Sequence, residues 1–246
     1  MARNKPRGGG DTMARTLDDF PITRHWKPRN PELLQLYSYP TPNGVKVSIA
    51  LEELGVPYDA HTVPLGETTT LAFLSLNPNN KIPAIIDPDG PDGEPFGLWE
   101  SGAILIYLAE KHGGLLPSGA ARRGETLQWL MFQMGGVGPM FGQYGFFGVF
   151  AGKEIEDPRP RERYVNEARR LLGVLEGRLA DGRDWIMGDE YTIADIAIFP
   201  WVRGAKIFYK AEEPFEMAAR PNVMAWLDRC IARPASGRGL VQPPVE

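Results

Sequence analysis

Asn79-Asn80-Lys81-Ile82-Pro83 and, further on, Glu100-Ser101 carry groups able to hold a small zwitterionic peptide. The Ile82-Pro83 step ends a loop and leads into the β run Ala84-Ile85-Ile86. The backbone at Ile82 is therefore an edge able to pair with another main chain. Glu100 can accept hydrogen bonds from an ammonium group. Ser101 opens a helical pattern, where free N–H groups and a hydroxyl face an incoming carboxylate. Upstream, Thr41-Pro42-Asn43-Gly44 is a polar turn between a strand pattern and a helix pattern. A thiol placed there would meet hydroxyl and amide donors near the positive end of a helix dipole, which favours the thiolate.

The elements needed to bring these groups together follow from periodicity and punctuation. Leu34–Ser38 reads as a strand, Val45–Leu54 as a helix stopped by Gly55, and Tyr58–Val63 as a second strand. A short helix over Leu71–Leu76 precedes a third strand, Ala84–Asp87. The Gly/Pro/Asp cluster 88–93 then turns the chain into Phe96–Trp99, and a helix follows over Ser101–Lys111. The order β-α-β-α-β-β-α predicts a thioredoxin-like α/β unit over 34–117. Beyond Pro117 only helices are expected, over Arg123–Met134, Arg161–Leu179, Thr192–Ala205 and Val223–Ala232, giving an all-helical unit over 118–246. Thr192-Ile193-Ala194-Asp195 has capping-box spacing, so Asp195 reads as a helix cap and not as a catalytic carboxylate. Residues 1–33 read as an N-terminal extension, a tail with Met13 as an alternative start followed by a strap lying on the surface.

Composition limits the function classes. With 246 residues the chain can bury a sizeable core, and a net charge of −4 does not argue for nucleic acid or an anionic membrane. A single cysteine, Cys230, excludes an internal disulfide. His25, His61 and His112 lack metal-ligand spacing, so no metal is expected. One thiol fits a reducing cytoplasm. No charge occurs between Glu125 and Lys153, a length able to cross a bilayer, but the glycines at 135, 136, 138, 142, 145 and 148 interrupt it. The expectation there is a buried helix ending near Met134, then an aromatic-glycine loop at a pocket or subunit interface.

With these motifs, from Leu34 to about Ala235, the chain resembles the glutathione transferase superfamily, and most of all its Nu class. The segments that carry the likeness are Thr41–Gly44, Asn79–Ile85, Glu100–Leu105, Gly135–Met140 and Tyr191–Asp195, in that order and spacing. The resemblance implies a cytosolic homodimer that binds glutathione or its disulfide, with disulfide-bond reductase activity and weak conjugation. It implies Thr41 and Asn43 beside the glutathione sulfur. It implies Ile82, before a cis Pro83, as the backbone clamp on the cysteinyl unit, with Glu100 and Ser101 gripping the γ-glutamyl end. It also implies Lys81 facing the glycine carboxylate and Arg163 reaching the ligand from the helical half. The glutamine that relatives often carry after the second strand is missing from Gly66–Thr70.

Three function classes follow. One is a glutathione-dependent reductase of small disulfides, with weak peroxidase activity. The second is a transferase conjugating glutathione to electrophiles held by Phe141, Tyr144, Phe146 and Phe147. The third is a non-catalytic dimeric binding module, which the presence of Ile82-Pro83, Glu100 and Ser101 speaks against. Cys230 lies in a helical pattern far in sequence from the site and reads as a packed residue. With no cysteine at the end of the first strand, any thiol–disulfide exchange must use the sulfur of bound glutathione. Tyr39 is the alternative hydroxyl near the sulfur; Tyr37, within the strand, reads as core.

Overall fold

The computed structural model describes residues 15–150 and 152–245. Met13 and the tail before it lie outside the described residues.

Four strands form one mixed sheet in the order β2-β1-β3-β4: β1 Leu34–Ser38, β2 Tyr58–Thr62, β3 Ala84–Asp87 and β4 Phe96–Trp99. β1 runs parallel to β2 and antiparallel to β3, which pairs antiparallel with β4. Strand alternation divides the sheet's side chains between two cores. Leu36 and Ile85 face a large cluster shared with the helical half, while Tyr37, Ala84 and Ile86 face a smaller one. α2 (Gly44–Leu54) and α4 (Ser101–His112) contribute to the large cluster. The short α1 (Ile22–His25) and α3 (Leu71–Leu74) lie beside each other at the smaller one. Phe20 and Ile22 enter that smaller core at 5% and 0% exposure. The extension therefore does more than lie on the surface: its two apolar side chains complete a sheet face that would otherwise meet water.

The rest is helical: α5 (Ala120–Phe132), α6 (Gly138–Tyr144), α7 (Arg159–Leu179), α8 (Ile193–Ile207), α9 (Pro221–Ala232) and α10 (Pro234–Gly239). This is a thioredoxin-like sheet unit followed by an all-helical unit. The expected loop after Met134 is corrected by the structure. A π-turn over Gln133–Val137 carries the chain from α5 into α6, and a second, Gly145–Phe150, extends it. Pro139, in the first turn of α6, offers no N–H to the preceding turn. The glycines serve packing: a Cβ at Gly138 would lie 2.5 Å from Gln133 Nε2, and one at Gly145 2.6 Å from the Tyr209 ring. No helix among the described residues is long and apolar enough to cross a membrane.

Candidate active site

The turn between β1 and α2 brings its polar residues against the helical half. A Cβ on Gly44 would sit 1.9 Å from the Tyr39 carbonyl oxygen, so only glycine allows α2 to start this close to the strand. The Gly44 N–H donates to Thr41 Oγ1 at 3.2 Å, leaving the Thr41 O–H free to donate elsewhere. Asn43 is oriented from afar: the Trp201 indole of α8 donates to its Oδ1 at 2.9 Å. With its oxygen engaged, the Asn43 amide N–H₂ is available as a donor.

Across from this turn, the chain before β3 is tied by Asn77. This residue is 1% exposed, donates to the Lys81 carbonyl at 2.5 Å and accepts from the Asn79 N–H at 2.9 Å. The Ile82-Pro83 bond is cis. The Ile82 N–H and C=O take no partner within the chain among the described residues. After β4, Glu100 adopts φ 71°, a left-sided conformation costly for a side-chain residue and of the kind held at ligand clamps. Its carboxylate accepts from Asn79 Nδ2 at 3.3 Å. Ser101, 4% exposed, begins α4, whose first N–H groups have no intrahelical acceptor.

These groups meet in one cavity of about 490 Å³. Its lining includes Asn43, Lys81, Ile82, Pro83, Glu100 and Ser101. Asn79, of the segment singled out in the sequence, also lines it, and sequence reasoning missed its further walls: Asn77, Gln133, Gln143 and Trp201. Thr41 is at the turn two residues before Asn43 and does not line the cavity. Arg163 of α7 lies in a separate depression with Met140, Arg159 and Arg170. Tyr39 packs beside the smaller core and also stays off the lining. Tyr37 is fully buried in that core, where burial and the Asp59 charge push its phenol upward.

Lys46 was also missed. It is fully buried in α2 behind the cavity wall. Its Nζ donates to Gln133 Oε1 at 2.5 Å and to Ser101 Oγ at 3.4 Å. The signal was an ionisable side chain inside the apolar run Val45–Leu51.

The expected aromatic pocket is corrected. Phe141 is fully buried against Phe215, and Tyr144 packs on the same ring at a centroid distance of 4.6 Å. Phe147 stacks on Tyr164 and Phe146 is exposed. Helical continuation past Met134 turns the first two inward.

Cys230 is fully buried in α9, and burial, then the nearby Asp195, pushes its thiol well above the ordinary range. A nucleophilic thiol needs the opposite environment. Cys230→Ser is expected to keep near wild-type turnover in a disulfide-reduction assay once folded fraction is matched. Abolished turnover in a well-folded variant would place the reacting sulfur on the protein.

Two family models match the chain: "Glutathione S-transferase, N-terminal domain" over residues 41–111 and "Glutathione S-transferase, C-terminal domain" over 158–229. A disulfide-bond oxidoreductase of Escherichia coli, YfcG, is 44% identical over 85% of this chain and 95% of its own length. The chain belongs to the glutathione S-transferase family. A second Escherichia coli disulfide-bond oxidoreductase, YghU, is 39% identical over 97% of this chain and 81% of its own length. Among solved structures, a Burkholderia graminis glutathione transferase with two glutathione molecules per subunit superposes with TM-score 0.92 and 62% identity. The match covers 94% of this chain and 96% of that chain. A Pseudomonas putida glutathione transferase with one glutathione disulfide per subunit gives TM-score 0.90 and 58% identity, over 93% and 99% of the two chains.

Proposed function

We propose that this protein binds glutathione and its disulfide in the cavity between Asn43, Ile82 and Ser101, and catalyses reduction of small disulfides. The observation that carries this reading is the convergence of three chemically different grips on one cavity. These are the unpaired backbone at Ile82, the open start of α4 at Ser101 beside Glu100, and the donor amide of Asn43. Glutathione has a peptide backbone, an amino-acid end and a thiol at matching chemical places. The two oxidoreductase relatives and the glutathione-bound neighbours support the same reading.

Glutathione supplies the sulfur that attacks the disulfide, since the protein's own thiol is buried. The protein holds the peptide and, through Asn43 with Thr41 behind it, stabilises negative charge on the sulfur. Lys81 is assigned to the glycine carboxylate, and Arg163 to a reach across from α7. The polar side chains Asn77, Asn79, Gln133 and Gln143 on the cavity lining support a polar ligand there. Conjugation to electrophiles is the second reading, and Phe146 and Phe150, at 49% and 69% exposure, are the aromatic surfaces left for it. Rates against a small disulfide and a chlorinated arene, in one glutathione buffer, decide between them. Faster turnover of the arene would overturn the reductase reading.

Ser101→Ala is expected to weaken binding of both glutathione and its disulfide by roughly 1.5–3 kcal/mol, the worth of a hydrogen bond to a charged group. Unchanged calorimetric affinity for both would remove Ser101 from the γ-glutamyl grip.

We also propose a homodimer, in the reducing cytoplasm where glutathione is abundant. Leu65, Leu71 and Met131 stand 55%, 87% and 53% exposed, apolar area that a second copy would cover. Sedimentation as a monomer at micromolar concentration would count against it.

A further inference from the structure

We propose that Lys46 is a positioning residue of the glutathione site: it sets the Ser101 hydroxyl toward the ligand and serves as the buried counter-cation of the ligand's amino-acid carboxylate, gaining a proton when that carboxylate binds. The proposal rests on the reading of the cavity as a glutathione site.

An ammonium carries three N–H donors. Those of Lys46 find Gln133 Oε1 at 2.5 Å, Ser101 Oγ at 3.4 Å and the weak acceptor Met134 Sδ at 3.8 Å. All three partners are neutral. No ion pair to Lys46 forms among the described residues, although the side chain has no exposed surface. A buried cation without a counter-ion is costly, and burial accordingly lowers the Lys46 ammonium to about 7, with the Glu100 charge pulling the other way. The missing negative charge has an obvious place. Ser101 stands between Lys46 and the cavity, at the helix start where a carboxylate is favoured. Because Ser101 Oγ accepts from Lys46, its own hydrogen is directed to another acceptor. In the structure that acceptor is the poor Met134 sulfur at 3.8 Å. A ligand carboxylate would replace it and supply the charge.

The groups around Lys46 leave it as the titrating partner. Ser101, Gln133 and Met134 do not ionise in this range, and Glu100 favours the protonated amine. On β1, Tyr37 faces the opposite core. On α10, Arg238 pairs with Glu52 at 2.6 Å, and on α8, Asp195 accepts from Trp226 at 2.9 Å. Arg203 and Lys206 of α8 make no hydrogen bond to this cluster. The charged residues of α4, Glu110, Lys111 and His112, are at its far end.

The sign follows from linkage. Above its midpoint in the free protein Lys46 is mostly neutral, so an arriving carboxylate draws in a proton. Below it Lys46 is already charged and no proton moves. The test is calorimetry with S-methylglutathione, which has no thiol to titrate, in buffers of differing ionisation enthalpy. Proton uptake should be a large fraction of one at pH about 8 and near zero at pH about 6, with affinity falling by up to about tenfold per pH unit between the two midpoints. Lys46→Arg, always charged, should bind without uptake and with a flat pH profile over that range. Lys46→Met should bind more weakly and also without uptake. A titration of the wild-type lysine side chains by carbon-13 NMR needs no variant: one lysine should titrate near neutrality and move upward on adding ligand. Ligand binding without proton uptake, or uptake that persists in Lys46→Arg, overturns the role of Lys46. Failure of wild type to bind S-methylglutathione at any pH would instead overturn the glutathione reading itself.

Discussion

Asp195→Ala is expected to destabilise the protein by roughly 3–5 kcal/mol, the scale for leaving several buried donors without their shared acceptor. Asp195 is fully buried at the start of α8. Its Oδ1 accepts from the Ile186 N–H at 2.9 Å and from the Trp226 indole at 2.9 Å. Its Oδ2 accepts from the Thr192 N–H at 3.0 Å and its hydroxyl at 3.3 Å. One carboxylate thus joins the loop before α8, the cap of α8 and the middle of α9. Alanine would leave these donors dry and unpaired, each with a desolvation penalty and no water to meet it. Asparagine preserves one oxygen but turns an N–H₂ toward other donors, so Asp195→Asn should also be destabilising. Urea unfolding monitored by tryptophan fluorescence measures both. A loss below about 1 kcal/mol for alanine, within the range of an ordinary exposed cap, would show that the network is not the pillar of the helical half.

Asn43→Ala is expected to lower kcat for disulfide reduction by about 10- to 100-fold while leaving S-methylglutathione binding nearly unchanged. The magnitude follows from the loss of one hydrogen bond to a charged group, roughly 1.5–3 kcal/mol. Trp201 holds the Asn43 oxygen, which leaves the amide N–H₂ of this lining residue as a donor near the N-terminus of α2. Without it the thiol ionises at higher pH, and the alkaline rise of the rate should move upward. Thr41→Ala should act in the same direction and less strongly, because Thr41 is off the cavity lining and its oxygen is engaged by Gly44. Tyr39→Phe should be mild. The pH–rate profiles of the three variants, with kcat separated from KM, decide the assignment. A shift confined to Tyr39→Phe would move the protein among tyrosine-type transferases and make conjugation the leading activity.

Much of this molecule was legible in the sequence because its signals are local. Strand alternation, Gly55 after a helical run and the Thr192–Asp195 cap depend on residues a few positions apart, and the four strands and the helices that were expected lie within a few residues of their places, whereas the short α1 and α10 were not expected. The same holds for the place of Ile82, Pro83, Glu100 and Ser101 on one cavity, which follows from where a strand begins or a helix starts. The helical course of the segment after Met134 was not legible. Glycine lowers helix propensity in isolation, and only the Gln133, Trp201 and Tyr209 side chains packed onto those glycines reverse the balance. The electrostatics of the site were likewise decided by tertiary structure. Lys46 meets Ser101 55 residues away and Gln133 87 residues away, and Trp201 reaches Asn43 across 158. Whether a lysine is a solvated charge or a buried cation awaiting a partner depends on which distant atoms exclude water from it, and periodicity within its own helix carries no record of them.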